Sequence, residues 1–118
     1  MLFITNAFSI QMLPDPDNLV SIKTISADKA AEMIRQYKFE SFIGHADTAN
    51  VVSGILDANI EMNRKSVHMT SGDQLIVAQV MGGRLPEGTT TIPPGMRIEF
   101  KLVKILKPTA DSIADYLS

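Results

Sequence analysis

Apolar residues recur along this chain with two periods, and the changes from one to the other mark out its elements. Leu2 to Thr5 is apolar on consecutive positions, as a short buried strand is. Leu19 to Ile25 alternates, setting Val20, Ile22 and Thr24 against Leu19, Ser21, Lys23 and Ile25, which suits a strand with one wetter face. Ser26 then suits a helix N-cap, and Ala30, Met33, Ile34 and Tyr37 follow at helical spacing. Thr48, Val51, Val52, Ile55 and Leu56 predict a second helix, ended by Asp57-Ala58-Asn59. Ile60 to Arg64 alternates again and predicts a strand. Ser66 to Met69 is expected to continue it or to follow a bulge, with His68 turned to solvent and without a role. After the turn signal Ser71-Gly72-Asp73, the run Leu75 to Val80 is apolar on both faces and predicts a central strand. Met96 to Ile105 predicts a half-buried last strand stopped by Pro108, and Asp111 to Leu117 a short helix.

Together these elements predict one domain over residues 1–118, of the α/β (α+β) class. A mixed sheet of about five strands would carry two helices and the short C-terminal one. Two connections interrupt the pattern. Pro14-Asp15-Pro16-Asp17-Asn18 is loop-forming, because prolines cannot donate to a ladder and Asp and Asn favour turns. The connection at about 81–95 is long and rich in glycine, threonine and proline, the profile of a lid-like or binding loop.

Composition narrows the function. With 118 residues, 45% hydrophobic and 20% charged, the chain has the ordinary make-up of a globular domain. A formal net charge of -2 argues against a protein that grips long DNA or RNA, yet leaves room for a small anion held by a few donors. The absence of cysteine excludes disulfides and thiolate metal sites. Met1 to Phe8 lacks a basic leader, and no apolar run reaches membrane-spanning length, so a cytoplasmic protein without membrane attachment is expected.

Candidate chemistry falls in three stretches and at two single positions. In Ser41-Phe42-Ile43-Gly44-His45-Ala46-Asp47-Thr48, His45 stands at the start of the second predicted helix, where free N–H groups attract anions, and Gly44 would let backbone approach a ligand closely. Asn6-Ala7-Phe8-Ser9-Ile10-Gln11 follows the first strand and interleaves amides and a hydroxyl with apolar anchors. Arg64 and Gln79 sit late in their predicted strands. Gly82-Gly83-Arg84-Leu85-Pro86-Glu87-Gly88 offers a guanidinium that matches phosphate and a carboxylate close by. Each also has an ordinary structural use: a turn histidine, local hydrogen bonds at Asn6 and Ser9, a solvated edge charge at Arg64, a satisfied amide at Gln79, and solvated charges at Arg84 and Glu87. No pair of histidines at metal-binding spacing, nucleophile elbow or phosphate loop is present. One histidine, arginines and neutral donors are sufficient for metal-free cleavage of RNA by its own 2′-hydroxyl, which requires a fixed ribose, a stabilised phosphorane and a protonated leaving group.

The combination Asn6-Ala7-Phe8-Ser9-Ile10-Gln11-Met12-Leu13, Ile43-Gly44-His45 before a helix, Arg64, and Gln79 followed by Arg84-Leu85-Pro86-Glu87-Gly88 resembles the small ring nucleases of type III CRISPR systems, a family that includes viral anti-CRISPR ring nucleases. The resemblance spans nearly the whole chain. It implies a homodimer that binds cyclic tetra-adenylate and cuts it to linear di-adenylate without metal or other cofactor. It further implies that His45 is the general acid, that Arg84 contacts the scissile phosphate, and that Glu87 orients or polarises the acid. Asn6, Ser9, Gln11, Gly44, Arg64 and Gln79 would hold the ring. The Pro14-to-Asn18 loop and the segment Thr89 to Gly95 depart from the family's pattern, and no base for the 2′-hydroxyl is assigned. Two other readings stand beside this one: a non-catalytic protein that sequesters a cyclic nucleotide, and a small interaction protein presenting its sheet edge or C-terminal helix.

Overall fold

A computed structural model describes residues 1–106; the helix expected at 111–117 lies outside them. Eight elements occur in the order β1 (Leu2–Thr5), a short 3-10 helix (Ile10–Met12), β2 (Leu19–Ile25), α1 (Ala27–Gln36), β3 (Phe39–Phe42), α2 (Ala46–Leu56), β4 (Gln74–Met81) and β5 (Arg97–Leu106). The strands form one mixed sheet ordered β2-β5-β4-β1-β3. β1 runs parallel to both β3 and β4, while β5 is antiparallel to β4 and β2. The chain is thus a single α+β domain with the five-stranded mixed sheet its patterning predicts.

The sheet has a core on each face. Leu2, Ile4, Ile76, Ala78, Phe100 and Leu102 pack with Ala30, Met33 and Ile34 of α1 and with Val52 and Leu56 of α2. On the other face Phe3, Leu75, Val77 and Val103 are covered by Val67 and Met69, with Phe8 and Met12 against them. β4 contributes to both cores, which explains its run of buried residues from Leu75 to Ala78 and its place in the middle of the sheet. The Ser26 hydroxyl accepts from Lys29 N–H at 3.0 Å and caps α1 as its position predicts. Tyr37 lies one residue beyond that helix and is exposed, so it is not part of the apolar face.

One expected strand is replaced by another. Ile60 to Arg64 is not a strand: Met62 forms only an isolated parallel bridge with Ile43, and the fifth strand is β3. Side chains take the backbone groups a ladder would have used. Ser53 Oγ accepts from Ile60 N–H (3.0 Å), Ser41 Oγ donates to the Glu61 carbonyl (2.6 Å), and Asn63 Nδ2 donates to the Ser41 carbonyl (3.0 Å). The segment lies beside β3 and shields that sheet edge without extending it. Ser66 to Met69 likewise forms no strand, although Val67 and Met69 are buried and His68 is exposed, as the alternation implies.

Candidate functional site

β1, β3 and β4 run parallel and end on the same side of the sheet, the side on which open sheets bind ligands. Asn6 follows β1, Gly44 and His45 follow β3, and Gln79 lies near the end of β4. Asn6 Oδ1 accepts from Gly44 N–H at 3.0 Å and ties the first two ends together. Thr5 Oγ1, buried beneath them, lies 3.3 Å from the carbonyl oxygens of both Ala7 and Phe42.

His45 is the N-cap residue of α2. Its carbonyl accepts from Ala49 N–H at 3.0 Å, but its side chain makes no capping bond, so the imidazole is exposed and uncommitted. It opens into a cavity of 580 Å³ lined by Asn6, Gln79, Arg84, Glu87 and Asp47, among others. That volume lies within the range of about 300–1,000 Å³ usual for small-ligand sites. A second cavity, of 400 Å³, is lined by Ser9, Gln11, Gly44 and Arg64 and also by Lys65 and His68. Asn6 borders both. The nine residues singled out in the sequence therefore divide between two neighbouring cavities.

The cavities differ in charge. The first sets His45 and Arg84 against Asp47 and Glu87, whereas the second carries Arg64, Lys65 and His68 without a carboxylate on its lining. Arg64 Nε donates to the Gly44 carbonyl at 3.3 Å, which steadies the guanidinium while leaving its terminal nitrogens for a ligand. Among the described residues neither Arg84 nor Glu87 makes an ion pair. Within the chain, a Cβ on Gly44 would meet Arg64 Cγ and Asn6 Oδ1 at an ordinary 4.0 Å. Its peptide groups are bonded on both sides, the N–H to Asn6 Oδ1 and the carbonyl to Arg64 Nε.

Three ionisable side chains lining the cavities were given no role in the sequence reading: Asp47, Lys65 and His68. Asp47 reads as an acidic residue in a helix's first turn, a common stabilising placement. Its partner is 41 positions away, for Asp47 Oδ1 accepts from Gly88 N–H at 3.0 Å. Among the described residues no group of three His, Cys, Asp or Glu side chains is placed to hold a metal ion, and no helix is long and apolar enough to cross a membrane.

Comparison with known proteins places relatives among viruses. The model of the family described as STIV B116-like matches residues 2–100. Uncharacterized protein 26 of Sulfolobus islandicus filamentous virus (isolate Iceland/Hveragerdi) is 31% identical over 88 residues, covering 75% of this chain and 74% of that protein. Uncharacterized protein ORF117 of Acidianus two-tailed virus is 36% identical over 69 residues, 57% of this chain and 58% of that one. In structure, B116 of Sulfolobus turreted icosahedral virus superposes with a TM-score of 0.73 at 25% identity, over 87% of this chain and 97% of the viral protein.

Proposed function

The chain belongs to the STIV B116-like family of small viral proteins, and from the two cavities that meet at Asn6 we propose that it is a metal-independent ring nuclease acting on cyclic tetra-adenylate. The observation that carries this reading is the sharing of one cavity by His45, Arg84, Glu87, Gln79 and Asn6, beside a second whose charged side chains are all basic. An anionic ring of nucleotides needs both parts: basic and neutral donors to hold its phosphates and sugars, and a proton source at the linkage to be broken.

In the proposed reaction the 2′-oxygen forms a bond to the adjacent phosphorus while the bond from phosphorus to the 5′-oxygen breaks. The imidazolium of His45 gives its proton to the departing 5′-oxygen, and the 2′-hydroxyl proton passes to water. The products end in a 2′,3′-cyclic phosphate and a 5′-hydroxyl. Arg84 stabilises charge on the phosphorane and Glu87 orients the acid, while Ser9, Gln11, Gly44 and Arg64 seat the ring. The protein acts as a homodimer, in which a two-fold axis presents two copies of His45 to opposite linkages of a four-nucleotide ring and two cuts yield two identical di-adenylates. Kinship with proteins of several viruses supports a role in removing this second messenger during infection, and so in switching off type III CRISPR signalling in the cytoplasm.

The test is incubation with cyclic tetra-adenylate in the presence of a chelator, with products separated by chromatography. Linear di-adenylate at a rate indifferent to the chelator is the expected result. Intact ring protected in proportion to protein would instead identify a sequestering protein, and failure to bind any oligoadenylate would favour an interaction protein.

A further inference from the structure

The connection 82–96 is held at its neck, and its middle bears a defined turn. At the neck, Gly82 (φ +91°) lies so close to Gly95 that a Cβ on Gly82 would stand 2.6 Å from the Gly95 carbonyl oxygen. In the middle, Thr89 N–H donates to the Pro86 carbonyl at 3.2 Å with Gly88 at φ +78°, which makes Pro86 to Thr89 a type II turn with glycine at its left-handed position. The central peptide of such a turn, here that joining Glu87 to Gly88, has no hydrogen-bond partner within the turn. Its N–H donates to Asp47 Oδ1 at 3.0 Å. Beyond the turn the backbone rests on α2, since a Cβ on Gly54 would meet the Thr90 carbonyl oxygen at 3.9 Å.

We infer that Asp47 is a positioning residue for the proposed cleavage, latching the Glu87–Gly88 peptide to the start of α2 and so setting Glu87 and Arg84 relative to His45. This inference rests on the ring-nuclease reading. Asp47 is the second residue of α2, two positions after His45, and the peptide it holds begins at Glu87. One hydrogen bond thus connects the helix end that carries the acid to the turn that carries its polarising carboxylate, with Arg84 two residues before that turn. The arrangement has an electrostatic cost, because a carboxylate lines a cavity meant for phosphates. Removing it should therefore improve ring binding while impairing cleavage, a split that generalised structural damage would not produce.

Two substitutions separate the latch from the charge. Asp47→Ala deletes the acceptor, whereas Asp47→Asn keeps an Oδ1 that can accept from Gly88 and loses only the charge. Single-turnover cleavage of cyclic tetra-adenylate is expected to slow about tenfold in Asp47→Ala and to stay within about threefold of the parent in Asp47→Asn. Both variants should bind the ring at least as tightly as the parent. In the ligand-free protein, the Gly88 amide order parameter should be about 0.85 in the parent and in Asp47→Asn, and below about 0.6 in Asp47→Ala. Equal slowing in the two variants, or an unchanged Gly88 in Asp47→Ala, overturns the latch. Should the parent neither bind nor cut the ring, the ring-nuclease reading falls, and the Gly88 relaxation alone decides whether the tether exists.

Discussion

Among single residues, His45 stands out: the fold leaves its imidazole exposed and without a capping bond at the head of α2. His45→Ala is expected to keep ring binding and to lose about 10² to 10⁴ in single-turnover rate, the usual share of a general acid; an unaltered rate would remove His45 from the mechanism. The place of His45 at the head of α2 was legible, because the helical spacing from Thr48 onward sets where that helix begins. Asp47 was not, because its use depends on an amide 41 positions away that no local pattern announces. Asp73, outside the cavities, has a carboxyl whose charge bears on the pH dependence of stability. Burial pushes its carboxyl upward, but hydrogen bonds from Thr70 N–H, the Met1 amino group and the Thr70 hydroxyl, with the attraction of that amino group, outweigh burial and hold it below its ordinary value. A carboxylate depressed in the folded state stabilises fully above its unfolded value of about 3.9, and this contribution is lost as pH falls through the folded value. Asp73→Asn should therefore lower Tm at pH 7, with the gap from the parent closing below about pH 4. A gap independent of pH would show that packing, and not the carboxylate's charge, supports the turn into β4.

Among the elements, the glycines of two loops that line the cavities differ in what the backbone needs from them. Gly82 adopts φ +91° and abuts the Gly95 carbonyl, so Gly82→Ala combines left-handed strain with a backbone clash and should cost about 1–3 kcal/mol in chemical denaturation. Gly44→Ala meets only ordinary contacts at 4.0 Å and should unfold at nearly the parent's denaturant midpoint, whatever it does to ligand binding. An unchanged midpoint in Gly82→Ala would mean that crowding at the neck does not hold the loop's shape. The strands show where patterning informs and where it misleads. Alternation identified which of Val67, His68 and Met69 are buried, yet these residues form no strand, because period-two burial reports contact with a core and not a hydrogen-bonded neighbour. An extended segment laid on a sheet face satisfies the same pattern, as 66–69 does with Met69 N–H donating to the Met12 carbonyl at 2.8 Å. β3 was harder to read: it has four residues, with Glu40 and Ser41 between two phenylalanines, and its place is set by β1. Tertiary pairing defines that strand more than its own propensity does.

For the whole molecule, the proposed chemistry makes stoichiometry a measurable consequence. One chain supplies one His45, and a ring of four nucleotides must be opened twice to release two di-adenylates. If a two-fold dimer meets opposite linkages with its two imidazoles, a dimer joining one parent chain to one His45→Ala chain can break only the linkage that faces the intact histidine. Differently tagged chains, co-expressed and purified through both tags, isolate that mixed species. Under single-turnover conditions it should accumulate linear tetra-adenylate, whereas the parent dimer proceeds to di-adenylate and the doubly substituted dimer leaves the ring closed. The first cut by the mixed species should run at about half the parent's rate, because half the acids remain and binding energy is unchanged. Di-adenylate formed by the mixed dimer without a linear tetra-adenylate phase would mean that one histidine serves both linkages. A full complement of activity from an isolated single chain would show that one subunit's pair of cavities suffices, and would end the two-fold account of how the ring is halved.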